Sequence, residues 1–161
     1  MDKVGIISCS GEELAVGTIA RSAVRRVLEV LRPHHAVTLC LPLFLAGNEG
    51  ERNFARTHPT ITIDGCEKRC ARFGTEKHGG PVARSLVVSE ILGERAERCS
   101  RSLRDRTPAD EEAVAIVADC IAAEIDALMG TEAAAVADAQ AGPGSPGVDP
   151  SAAPGAEEVE P

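Results

Sequence analysis

The chain of 161 residues contains no Trp, no Tyr and only three Phe. Its core therefore has to be aliphatic, drawn from Val, Ile, Leu and Ala, and the aromatic platforms on which single-stranded nucleic acids stack are missing. A phosphate-cradling loop is missing as well, because Gly11 and Gly17 stand too far apart for a dinucleotide or P-loop fingerprint. No apolar run approaches the ~20 residues that span a bilayer. Val4 to Ile7 is too short for the apolar region of a secretory signal and is followed by no small-residue cleavage site. Basic residues are absent from 131–161, which hold Glu132, Asp138, Asp149, Glu157, Glu158 and Glu160; without these six the net charge of −8 falls to −2 for residues 1–130. A near-neutral body calls for no polyanionic partner. The expectation is a soluble, cytoplasmic protein with no nucleic-acid or membrane partner. There, six cysteines are reduced, metal-bound or reactive rather than paired in structural disulfides.

What is present is an alternation of strand-like and helix-like segments, the pattern of a parallel sheet with crossover helices. Val4 to Ile7 is a first strand. Ile19, Ala20, Ala23, Val24, Val27, Leu28 and Leu31 then recur on one helical face, with Thr18 as the expected N-cap and Pro33 as the stop. Ala36 to Leu41 reads as a second strand, followed by a loop or broken helix and a short polar helix from about Asn48 to Arg56. Thr60 to Ile63 is a β-branched third strand, closed by a turn at Asp64-Gly65. A short helix is expected from Cys66 to about Lys77, then a fourth strand over Ser85 to Ser89. Ile91 to Arg106 is polar, a loop or exposed helix. Thr107-Pro108 is a strong helix start, and Val114, Val117, Cys120, Ile121, Ile125 and Leu128 form a buried stripe that Gly130 should end. The fold class expected is α/β, a three-layer sandwich with a mostly parallel sheet of about four strands. The domain covers 1–130, and 131–161 is an Ala-, Pro-, Gly-rich acidic tail expected to be disordered.

The cysteines sit at strand ends: Cys9 after Val4 to Ser8, Cys40 after Ala36 to Leu39, Cys66 and Cys70 after Thr60 to Ile63. In a parallel sheet these positions share one edge, the edge where α/β proteins bind ligands. Neighbouring strands lie about 4.8 Å apart, and two thiolates on one tetrahedral zinc stand roughly 3.8 Å apart, so cysteines ending adjacent strands can share an ion. A helix from Cys66 would place Cys66 and Cys70 on one face and favour their thiolates. Four thiolates suit zinc, with an iron–sulfur cluster as the chemical competitor. The same residues also fit a thiol redox protein, or small hydrophobes packed at strand ends.

Other residues admit plainer roles. Cys120 falls on the last helix's apolar stripe, and Cys99 is either exposed or a fifth thiol near the site. His78 is eight residues past Cys70 and too far along its helix to ligate; His34, His35 and His58 flank strands at the opposite edge. Arg95, Arg98, Arg101 and Arg104 recur every third residue, but Glu94, Glu97 and Asp105 interleave with them and favour pairing within the segment. Glu12 and Glu13 lie beside Cys9, where a carboxylate could act as a general base on an open-site metal or simply favour a helix start.

Val4 to Gly11 (VGIISCSG), Cys40 within Leu39-Cys40-Leu41-Pro42, and Ile63 to Ala71 (IDGCEKRCA) resemble the DGC domain family of proposed zinc-binding proteins, named for the Asp-Gly-Cys matched here by Asp64, Gly65 and Cys66. The resemblance covers residues 4 to 92. It implies that Cys9, Cys40, Cys66 and Cys70 are zinc ligands; the site's place at the ligand-binding edge of the sheet leaves metal carriage, sensing or chemistry at a zinc-activated thiolate as the expected roles. It supplies no reaction and no catalytic residue. Glu12-Glu13 and Phe73-Gly74 depart from the family pattern around the site.

Overall fold

The computed structural model describes residues 3–11, 13–100 and 106–140. Four strands, β1 (Val4–Ser8), β2 (Ala36–Thr38), β3 (Thr60–Asp64) and β4 (Arg84–Val87), form one sheet in the order β2-β1-β3-β4. All pairs are parallel, with Ile6 opposite Thr38 and Ile61, and Ile63 opposite Leu86. The expected α/β class and four-stranded parallel sheet are therefore present.

Helix α1 (Ala15–Arg26) follows β1, and α2 (Leu41–Leu45) and α3 (Glu49–Thr57) link β2 to β3. α4 (Cys70–His78) links β3 to β4, and α5 (Val88–Leu92) precedes the long α6 (Pro108–Gln140). From β1 the chain steps outward to β2, then crosses back to β3 and β4. Right-handed connections consequently place α1 on one face and α2 to α4 on the other. α5 and α6 pack with α1. Val4, Ile6, Ile61 and Ile63 are all 2 % exposed or less and alternate along β1 and β3. Thr60, Thr62 and Asp64 take the alternate positions, and Asp64 reaches α4 on that side.

Several boundaries differ from the sequence reading. α1 begins at Ala15 with no side-chain cap at Leu14, so Thr18 lies inside the helix rather than at its start. α1 continues as a π turn over Val27–Leu31, where Arg32 N–H reaches back to the Val27 carbonyl at 2.7 Å. β2 stops at Thr38, short of the expected Leu41, and Pro42 sits in the first turn of α2 rather than at a strand end. The helix expected from Cys66 starts at Cys70. Of the segment expected to be polar loop or exposed helix, residues 91–98 supply α5's end and a 3-10 turn over Gly93–Arg98. Thr107 starts α6 as expected: Asp110 N–H donates to Thr107 Oγ1 at 3.4 Å while the Asp110 carboxylate accepts from Thr107 N–H at 2.7 Å. Gly130 does not end α6, which runs to Gln140. The expected tail beyond 140, Glu12, and Arg101 and Arg104 lie outside the described residues.

Candidate metal centre

The crevice between the carboxyl ends of β1 and β3 is the point where the strand order reverses, the place where open α/β sheets hold ligands. A cleft of about 230 Å³ opens there. Cys9, Cys66 and Cys70 line it together, with Leu14, Leu41 and Leu45 as apolar wall and Asp64, Lys68 and Arg69 as its charged residues. Cys40 is exposed and is absent from the lining, although its neighbour Leu41 is part of it.

Cys9 is 7 % exposed, one residue past β1, and its Sγ accepts the Gly65 N–H at 3.2 Å. That bond ties the first cysteine loop to the third. Close approach of the two loops depends on glycine. A Cβ on Gly65 would stand 2.8 Å from the backbone nitrogen of Gly17, and one on Gly17 would stand 2.2 Å from the Gly11 carbonyl oxygen. Only hydrogen side chains let the start of α1 pack onto the loops that carry Cys9 and Cys66.

Asp64, the last residue of β3, is 1 % exposed. Its carboxylate accepts the N–H of Ala71 at 2.7 Å and of Arg72 at 3.1 Å, capping α4 from six residues before its start. Burial pushes this carboxyl above its ordinary value, offset in part by those two N–H donors and by the Arg69 and Arg72 charges. Between Asp64 and the helix the chain turns: Arg69 N–H closes onto the Cys66 carbonyl at 3.1 Å, and Arg69 holds φ +48°, a left-handed backbone uncommon outside glycine. Cys66 and Cys70 are thus presented by this turn, not by successive turns of one helix, which corrects the spacing argument. Arg69 is held by Glu90 at 2.9 Å.

Among the described residues no three Cys, His, Asp or Glu side chains are already clustered closely enough to hold an ion. The structure thus brings Cys9, Cys66 and Cys70 to one cleft, leaves Cys40 beside it, and does not gather the four sulfurs. The donor chemistry fits zinc, since every one of these cysteines is a free thiol. Cys99 is buried away from the cleft, its Sγ toward the Arg95 carbonyl at 3.6 Å, and burial followed by the Asp110 charge pushes its thiol up. Cys120 is half-buried on α6. His78 contacts Arg52 at 3.3 Å and Phe44 edge-on, and His58 stacks on Phe54, so both serve packing. His34 and His35 are exposed. The sequence reading missed the Gly65 donor, the Gly17 contact and the leucine wall, all of which depend on packing between distant segments.

Fold and site together define a class: a doubly wound parallel α/β domain with a cysteine-lined cleft at its switch point. The family model for the DGC domain matches residues 5–120, and the chain belongs to that family. The match runs past the expected residue 92 through α5 and into α6. No curated protein and no solved structure matches the chain. No helix among the described residues is long and apolar enough to cross a membrane.

Proposed function

We propose that this chain binds one zinc ion through the thiolates of Cys9, Cys40, Cys66 and Cys70, and serves in carriage or sensing of the metal. The observation that carries the reading is the convergence of Cys9, Cys66 and Cys70 on one cleft at the switch point, with the Gly65 N–H already directed at Cys9 Sγ. Family membership supports a metal-binding role. A set of four sulfurs selects zinc over oxygen-seeking cations such as magnesium. A metal held by these four sulfurs would tie the loops after β1, β2 and β3 to one another, a clasp across three connections.

Cobalt(II) substitution tests the ligand set. Sulfur-to-cobalt charge-transfer absorption should appear on titration, saturate at about one ion per chain, and weaken in each of Cys9→Ser, Cys66→Ser and Cys70→Ser. Absence of that absorption from the unaltered chain contradicts thiolate ligation. A brown protein after anaerobic purification contradicts zinc in favour of an iron–sulfur cluster, and a reversible Cys66–Cys70 disulfide in metal-free chain favours thiol redox chemistry.

A further inference from the structure

We infer that two copies of this chain associate through the apolar rim of the cleft, across a twofold axis that sets α2 and α4 of one copy against α2 and α4 of the other. The inference does not depend on the metal reading. Among the described residues five large apolar side chains are exposed, and four of them, Leu14, Leu43, Leu45 and Phe73, surround this cleft at 44 % to 59 % exposure. Leu14 and Leu45 form part of its wall. Leu45 leans from α2 onto α4, where a Cβ on Gly74 would stand 3.0 Å from Leu45 Cδ2. Phe73 precedes Gly74, one turn from Cys70 and away from the side of α4 that buries Ala71 and Thr75. α2 itself buries only Leu41 and Phe44; Pro42, Leu43, Leu45 and Ala46 are all exposed.

Single apolar side chains on a surface are ordinary, but a contiguous group at the mouth of a cleft marks a contact surface. Charge decides what covers it. No charged residue occurs from Ala36 to Asn48, the segment that contains α2. Exposed charges of both signs edge the patch: Glu13 beside Leu14, Glu67 and Lys68 in the Cys66–Cys70 turn, and Lys77 one turn past Phe73. Arg69 and Arg72 are already paired with Glu90 and Glu76. An anionic membrane or an acidic peptide gains no net attraction from such a rim. A second copy does gain, because a twofold axis matches the apolar patch with itself and lets the acids of one copy face the bases of the other.

Sedimentation velocity of the full chain, with reductant present and over ~1–100 μM, should show a concentration-dependent dimer. Leu45→Glu and Phe73→Glu should each weaken association at least ~10-fold. Val30→Glu, at the fifth exposed apolar residue, beyond α1 and ahead of β2, should not. All three side chains are exposed, so far-ultraviolet circular dichroism of the variants should match that of the unaltered chain. A second measurement needs no variant: alkylation of Cys70, on the Phe73 side of α4, should slow as chain concentration rises through the dimer range, while that of Cys120 on α6 stays constant. A chain that is monomeric throughout, a dimer dissolved by reductant, or a dimer insensitive to Leu45→Glu and Phe73→Glu overturns the inference. So do equal weakening by Val30→Glu and a Cys70 alkylation rate independent of concentration. Monomer that cosediments with vesicles of phosphatidylcholine and phosphatidylserine overturns it in favour of a lipid surface. Failure of the chain to bind zinc removes the metal reading alone.

Discussion

Substitution of Asp64 separates what its shape does from what its charge does. The carboxylate caps two N–H groups, Ala71 at 2.7 Å and Arg72 at 3.1 Å, from a position only 1 % exposed. Asp64→Ala leaves both donors without an acceptor beside a buried backbone. Each such loss costs about 1–3 kcal/mol, and the N-cap scale alone gives ~0.5–2 kcal/mol. Water reaching Arg72, which is half-buried, lowers the sum, so we expect about 2–3 kcal/mol for Asp64→Ala. Burial pushes the carboxyl above its ordinary value, while the Ala71 and Arg72 N–H groups it caps act against that rise. Asp64→Asn keeps one acceptor oxygen and should therefore cost only ~1–1.5 kcal/mol. Urea unfolding followed by far-ultraviolet circular dichroism is the assay, because a chain without Trp or Tyr has no useful intrinsic fluorescence. Zinc affinity measured by competition with a chelator should fall in the same order, since the cap presents the Cys66–Cys70 turn. An alanine cost below ~0.5 kcal/mol, or an asparagine cost equal to that of alanine, refutes the reasoning.

Further outcomes follow from other contacts. Gly65→Ala forces a Cβ to 2.8 Å from the Gly17 backbone and should cost about 1–3 kcal/mol, whereas Gly130→Ala meets nothing within 4 Å in a helix and should stabilise by ~0.5–1 kcal/mol; paired urea curves decide both. Asp110 is buried, which alone would raise its pKa, but the N–H groups of Thr107 and Ser100 and the Thr107 hydroxyl outweigh this and hold it below the usual carboxylate value. Its folded pKa being depressed, its contribution is fully present above the ordinary carboxylate range and is lost as pH falls through the folded value. The stability gap between unaltered chain and Asp110→Asn should hold at pH 7 and shrink below about pH 4; a gap that widens on acidification contradicts the assignment. In metal-free chain, exposed Cys40 and Cys70 should alkylate at least ~10-fold faster than buried Cys9 and Cys99 under native conditions, as peptide mapping would show.

Much of the architecture was legible because it is written locally. β-branched runs at Val4 to Ile7 and Thr60 to Ile63 gave central strands, and the 3.6-residue apolar recurrence through Ile19, Ala23 and Val27 gave α1. Thr107-Pro108 and Asn48 carried their own capping chemistry, the latter accepting from Glu51 N–H at 3.2 Å. The errors arose where a distant group decided. Asp64 caps a helix whose start lies six residues downstream, so the Cys66 turn looked like helix. α1 starts at Ala15 without a side-chain cap, and Gly17 in its first turn lies against Gly11 and Gly65. Gly130, with no neighbour that needs its φ freedom, stays helical. For the site, Cys9, Cys66 and Cys70 share the lining of the cleft at the switch point, whereas Cys40, past the short β2, lies outside it.

The central claim is tested most directly by elemental analysis of chain freshly purified without added metal, with concentration from amino-acid analysis because absorbance at 280 nm is uninformative here. The account predicts about one zinc per chain, falling close to zero in Cys66→Ser. Unaltered chain without zinc, or Cys66→Ser with an unchanged zinc content, contradicts it.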